Sequence, residues 1–301
     1  MREQSCINFT KVLRKYGDTF YEVHGLIRIL YRVKAVLERR IRVLELIQIR
    51  KSFDGTAILD RVDMEVPDGE IVSVLGPSEC GKMTLMRIVL GMEKADMGQI
   101  LFRGRDLTRI PMEERGFQVV FRDCSFFPNM NVYKNIVYGL RNRPGISNRE
   151  EVEKLIDLLE LRKILGNRVG MLTTGQKECT ALARILVMKP KVLLLEDPFA
   201  DLDEEEKDKI IEMLRKIIEK YHITIMMTVR DSDEALKVSD KILILNRGRV
   251  AQYGTPQEIL FRPETPFIKE FIAASRRGFH QYGAASMAAA APVNPASALD
   301  F

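Results

Sequence analysis

Nothing in this 301-residue chain is long and apolar enough to cross a membrane: no run approaches the roughly 18 residues a spanning helix needs. The opening MREQSCINFTKVLRK also lacks the apolar core and small-residue cleavage site of a signal peptide, so any membrane role is expected to run through a partner. Cysteine is sparse. Cys6, Cys80, Cys124 and Cys179 show neither paired metal-ligand spacing nor the density of a disulfide framework, which suits a reducing compartment. A general basic excess is missing too. The net charge is +5, but residues 1–50 hold 11 Lys and Arg against 5 Asp and Glu, so the rest of the chain is close to neutral. No nucleic-acid partner is expected from such a distribution.

What is present is a basic N-terminal extension, an alternating strand and helix region, and an Ala-rich end. In residues 1–42, Val23, Ile27, Leu30, Val33, Leu37 and Ile41 recur at helical spacing with basic residues between them. This predicts an appended helix, with contact to a membrane surface or a permease as the competing reading. From Val43 the stretches VLELIQIRKSF and GEIVSVLG read as strands, and KMTLMRIVLGM reads as a helix. A polar section from about 106 to 185, with NREEVEKLIDLLEL inside it, reads as a helical lobe. Beyond it, KVLLLED, ITIMMTV and KILILNRG are strands alternating with the helices EEEKDKIIEMLRKIIEKY and DEALKVS. That order predicts an α/β domain over about 43–280, with a mostly parallel sheet covered by helices on both faces. The final AASMAAAAPVNPASALDF predicts a disordered tail over 281–301.

The segment Gly76-Pro77-Ser78-Glu79-Cys80-Gly81-Lys82-Met83-Thr84 has the GxxxxGK spacing of a phosphate-binding loop, with a strand before it and a helix after. Backbone N–H groups and the positive end of the helix serve phosphate in such a loop. Downstream come VFRDCSFFPNMNV, the segment Leu172-Thr173-Thr174-Gly175-Gln176, the acids Glu196-Asp197 after four apolar residues, Ala200-Asp201-Leu202-Asp203, and Thr228-Val229-Arg230-Asp231. Without any family in view, TTG is simply a good helix start with threonine as N-cap.

In order and separation these segments resemble the ABC-type ATPases of importers, from about Val43 to Ile272. The correspondence runs through Walker A, glutamine loop, signature, Walker B, D-loop and switch. The resemblance implies a P-loop NTPase-like core with a mostly parallel sheet, an antiparallel β edge and an inserted helical lobe. It further implies ATP and Mg2+ as ligands, a transmembrane permease and a second nucleotide-binding subunit as partners, and a cytoplasmic place on the inner membrane face. Phe53 falls where the family stacks an aromatic on adenine, and Asp203 falls in the D-loop.

The departures concentrate on positions that face ligand. Glu79 replaces a glycine in the phosphate loop; its carboxylate repels phosphate by about 4 kcal/mol at ~4 Å and an effective dielectric near 20, and its backbone is expected to need positive φ. Met83 stands where a hydroxyl ligates magnesium, and a thioether is a poor ligand for so hard an ion. The neighbouring Thr84 is turned about 100° away along the helix. Arg122 occupies the glutamine position and cannot ligate a metal. Thr174 replaces a signature glycine and is expected to obstruct approach of the partner's γ-phosphate. Glu196 and Asp197 reverse the order of the magnesium-binding and water-polarising acids, and Arg230 replaces the switch histidine. These substitutions lead to the expectation of weak or absent ATP and Mg2+ binding and impaired hydrolysis. A non-catalytic ABC-fold protein that keeps only structural or partner-binding roles is the alternative, and a fully active transport ATPase is the third reading. A further expectation is that Glu79, Glu196 and Asp197 neutralise Lys82, Arg122 and Arg230 in one ionic network.

Overall fold

The computed structural model describes residues 42–274. The expected N-terminal helix and the Ala-rich tail lie outside the described residues. In chain order the elements are β1 (Arg42–Phe53), β2 (Thr56–Pro67), β3 (Ile71–Leu75), α1 (Lys82–Leu90), β4 (Met97–Phe102), β5 (Arg105–Asp106), α2 (Met112–Arg115) and β6 (Phe117–Val120). Three helices follow: α3 (Val132–Val137), α4 (Arg149–Leu158) and α5 (Thr174–Leu186). The chain then runs through β7 (Val192–Glu196), α6 (Glu204–Tyr221), β8 (Thr224–Thr228), α7 (Ser232–Val238), β9 (Lys241–Asn246), β10 (Arg249–Gly254) and α8 (Pro256–Phe261).

Two sheets organise these elements. Strands β1 and β2 form a long hairpin through Asp54 and Gly55, whose φ angles of +47° and +79° suit the two-residue turn that Asp-Gly closes most easily. With β4 and β5 they make an antiparallel sheet ordered β2-β1-β4-β5. The second sheet has the order β10-β9-β3-β8-β7-β6, parallel from β9 to β6 with β10 antiparallel at one edge. Strand β6 lies within the stretch expected to form the helical lobe, yet it pairs with β7 and belongs to this sheet.

The central strands are buried along nearly their whole length and mostly apolar, interrupted by Ser73, Thr224 and Thr228, because both faces are covered. Residues alternate between two cores. Ile71, Leu75, Leu193, Leu195, Ile225 and Met227 point to the side packed by α3, α4, α5 and α6. Val72, Val74, Val192, Leu194, Met226 and Leu245 point to the other side, where α1 and the antiparallel sheet pack. Helix α1 is held at its far end by Arg115, only 4% exposed, which donates to the carbonyls of Ile88 and Val89 at 2.8 Å and of Ile110 at 2.8 Å. A buried cation at a helix C-terminus both satisfies orphan carbonyls and matches the dipole.

Candidate nucleotide site

The parallel strands place their carboxyl ends side by side, which is where open α/β sheets gather ligands. The loops leaving β3, β8, β7 and β6 carry respectively the 76–81 segment, Arg230, Asp197 (next to Glu196, the last residue of β7) and Arg122.

The 76–81 loop is tight. Gly76 has φ +152°, and a Cβ there would sit 2.2 Å from the Leu245 carbonyl oxygen and 2.7 Å from Cys80 Sγ. Gly81, the N-cap of α1 at φ +103°, would meet Leu59 and the Ile58 carbonyl. Glu79 is exposed and has φ +62°, a left-handed conformation that disfavours any residue with a Cβ by about 1–2 kcal/mol. Ser78 is exposed, Thr84 half-buried, and Met83 is partly buried against the apolar cluster under α1. Lys82 Nζ donates to the carbonyls of Gly76 at 2.6 Å and Pro77 at 2.7 Å.

This corrects part of the expected ionic network. Among the described residues no ion pair joins Lys82 to Glu79 or Glu196. The short span of the loop brings its own carbonyls within reach of the ammonium, while the left-handed turn leaves Glu79 at the surface. The remaining members do assemble. Asp197, 6% exposed, has Arg230 Nε 2.7 Å and Arg122 Nη1 4.0 Å from its Oδ2, and Arg122 Nη2 donates to Asp201 at 2.9 Å. The Arg230 approach is off the hydrogen-bond line, so the buried Oδ2 has a charged neighbour but no aligned donor. Burial pushes the Asp197 carboxyl above its ordinary range, opposed by Arg230 and Arg122. Arg122 holds Asp201 below its usual range. Asp197 itself sits at φ +50°.

Donor chemistry here does not match a magnesium ion. A hard dication takes oxygen ligands, whereas Met83 presents a thioether turned against apolar side chains, and the Asp197 carboxylate faces two guanidiniums.

Among the described residues no hydrogen bond or ion pair joins the 173–176 segment to this cluster. Thr173 caps α5, with its hydroxyl accepting from Gln176 N at 3.2 Å and its own N–H donating to Gln176 Oε1 at 3.1 Å, a reciprocal capping box. Thr174 and Gly175 open the helix, and Thr173 Oγ1 lies 3.4 Å from Glu206 Oε1. Asp203 caps α6, accepting from Glu206 N at 2.8 Å. Phe53 ends β1 at 43% exposure, with Lys51 Nζ 4.8 Å from its ring centre.

Sequence reasoning missed Asp201 as the partner of Arg122, and it missed Glu178. That residue is 5% exposed on α5; Cys124, in the loop after β6, has its Sγ 3.6 Å from Glu178 Oε1. Burial pushes the Glu178 carboxyl up to about 7 and the Cys124 thiol to about 12. The i, i+3, i+4, i+7 spacing of Glu178, Ala181, Leu182 and Ile185 carried the signal, since it sets Glu178 on the apolar stripe. From the same helix, Arg184 donates to the carbonyls of Cys124 at 2.7 Å and Ser125 at 2.9 Å, tying that loop to α5.

A family model for the ABC transporter matches residues 59–200. The spermidine/putrescine import ATP-binding protein PotA of Mesoplasma florum is 40% identical over 235 residues, covering 77% of this chain and 67% of that protein. The sulfate/thiosulfate import ATP-binding protein CysA of Acinetobacter baylyi is 39% identical over 240 residues, covering 78% and 68%. Among solved structures, cbiO1 from Clostridium perfringens, described as part of the ABC transporter complex cbiONQ, superposes with a TM-score of 0.69 at 27% identity, over 80% of this chain and 99% of that one. With the phosphate loop at the end of β3 and the acids at the end of β7, these likenesses establish that the chain belongs to the ABC transporter ATP-binding family.

Proposed function

We propose that this chain is an importer-type ABC ATP-binding subunit whose ATP hydrolysis is impaired or lost. It would dock on a transmembrane permease at the inner face of the membrane and pair with a second ATP-binding subunit. The naming of PotA and CysA as import ATP-binding proteins, and of cbiO1 as part of a transporter complex, supports the first half. One observation carries the second. Asp197, the acid at the end of β7, is paired with Arg230 and lies 4.0 Å from Arg122, so guanidiniums stand where water and a magnesium ion would need room. A permanently charged guanidinium neither ligates a metal nor accepts a proton. Glu79, Met83, Thr174 and Glu196 act in the same direction, weakening ATP and Mg2+ binding as well as turnover.

The experiment is ATP turnover by the purified chain at saturating ATP and Mg2+, beside Lys82→Ala. The expected result is no turnover above that variant. A reconstructed chain carrying Glu79→Gly, Met83→Ser, Arg122→Gln, Thr174→Gly, Glu196→Asp, Asp197→Glu and Arg230→His is expected to gain hydrolysis. Magnesium-dependent turnover by the unaltered chain, lost in Lys82→Ala, would sink the reading.

A further inference from the structure

We infer that the site takes the polyphosphate of a nucleotide without magnesium, with the guanidiniums of Arg122 and Arg230 supplying the positive charge that the dication supplies elsewhere. This deepens the reading of a nucleotide site with lost hydrolysis and rests on it.

Three features of the cluster point the same way. The first is the number of donors still uncommitted. A guanidinium has five N–H groups in a fixed fork. Arg230 comes within 2.7 Å of Asp197 through Nε, its side chain is 70% exposed, and among the described residues its terminal nitrogens make no hydrogen bond, which leaves them for a bidentate phosphate fork. Arg122 is 39% exposed and directs Nη2 to Asp201 and Nη1 toward Asp197. Asp197 therefore anchors both cations at the strand ends without saturating them.

The second feature is the loop opposite. Lys82 points back to the carbonyls of Gly76 and Pro77, and α1, nine residues long, begins at Gly81 with no side-chain cap. Its first N–H groups and Lys82 contribute positive charge from the loop and the two arginines contribute it from the ends of β6 and β8, while the exposed Glu79 carboxylate offsets part of it.

The third feature is what a magnesium ion would meet. It would lose its hydroxyl ligand to Met83 and would share Asp197 with two cations, so it is repelled where it is ordinarily held. The metal-bound nucleotide also carries two fewer negative charges for the arginines to bind. Magnesium should thus compete with this site for the phosphates rather than complete it.

The test is calorimetric titration of the full chain with ATP, first in EDTA and then at rising Mg2+, repeated with inorganic tripolyphosphate. Binding of both probes in EDTA is expected, with ATP affinity falling several-fold at saturating Mg2+. Arg230→Ala and Arg122→Ala should each lower affinity in EDTA on the order of tenfold, and Arg230→Lys should restore part of it. Circular dichroism checks that the variants fold. ATP binding that tightens with Mg2+, an absence of binding in EDTA, or affinity in EDTA indifferent to both alanine variants overturns the inference. Turnover is read separately. Hydrolysis with metal-free binding would defeat the loss-of-catalysis reading alone, whereas magnesium-tightened binding without hydrolysis would defeat only this inference.

Discussion

Replacing Glu178 by glutamine should remove a pH-dependent weakness from the domain. Glu178 is buried on α5 facing the loop after β6, with Cys124 against it, Asp197 adding like charge, and Arg184 and Asp123 close to Cys124. Its carboxyl ionises near 7 when folded instead of near the ordinary 4.5. A carboxyl with a raised folded value binds more protons in the native state than in the unfolded one, so stability falls as pH climbs from about 4.5 to 7 and levels off above. At about 1.4 kcal/mol per tenfold, the full difference is ~3 kcal/mol. The amide has nearly the same shape and no charge. Glu178→Gln should therefore match the parent within about 1 kcal/mol at pH 5 and exceed it by roughly 2–3 kcal/mol at pH 8, or several degrees in Tm for a domain of this size. Urea unfolding between pH 5 and 8.5 measures the difference. Far-ultraviolet circular dichroism is the probe of choice, because the chain has no tryptophan. Two stability curves that run parallel across that range would refute the assignment of the burial penalty to Glu178.

Other substitutions probe other parts of the scaffold. Glu79→Gly should stabilise by about 1 kcal/mol in thermal unfolding, since it relieves a left-handed non-glycine residue, and should raise ATP affinity by removing a carboxylate from the phosphate approach. No gain in affinity would show that the Glu79 carboxylate does not oppose phosphate. Gly76→Ala should destabilise by about 3 kcal/mol or more, because its Cβ would sit 2.2 Å from a backbone oxygen that cannot swing away. Arg115→Met should lower unfolding free energy by about 3 kcal/mol by stranding the carbonyls of Ile88, Val89 and Ile110. Chemical denaturation reads both, and a loss below about 1 kcal/mol would contradict the hydrogen-bond argument.

The parallel core was legible because its strands are dominated by short apolar runs. KVLLLED and ITIMMTV correspond to β7 and β8, and the helix read as EEEKDKIIEMLRKIIEKY has the bounds of α6 because Asp203 caps one end and His222, at φ +50°, ends the other. Strand β2 was not legible. Its TAILDRVDMEVP alternates buried Leu59, Val62 and Met64 with charged Asp60, Arg61, Asp63 and Glu65, and so reads as surface in a list of residues. Strand β6 escaped because four residues carry too little periodicity, and FQVV sits among polar neighbours.

At the candidate site, the 76–84 loop could be located by spacing alone, since glycine positions and a following helix are local features. Choice of partner could not. Lys82 turns to its own loop because the loop folds back on it, and Arg122 finds Asp201 across 79 positions of sequence. Such pairings are set by which strands become neighbours, and charge counting saw only that the signs balanced.

Arg122, Asp197 and Arg230 follow β6, β7 and β8, three adjacent strands about 4.8 Å apart. Together with Asp201, the side chains set alternating charges across the carboxyl ends of these strands. The charge pairing at these strand ends is thus supplied by residues of the chain itself. Nucleotide addition should consequently raise the melting temperature little beyond what phosphate occupancy itself supplies.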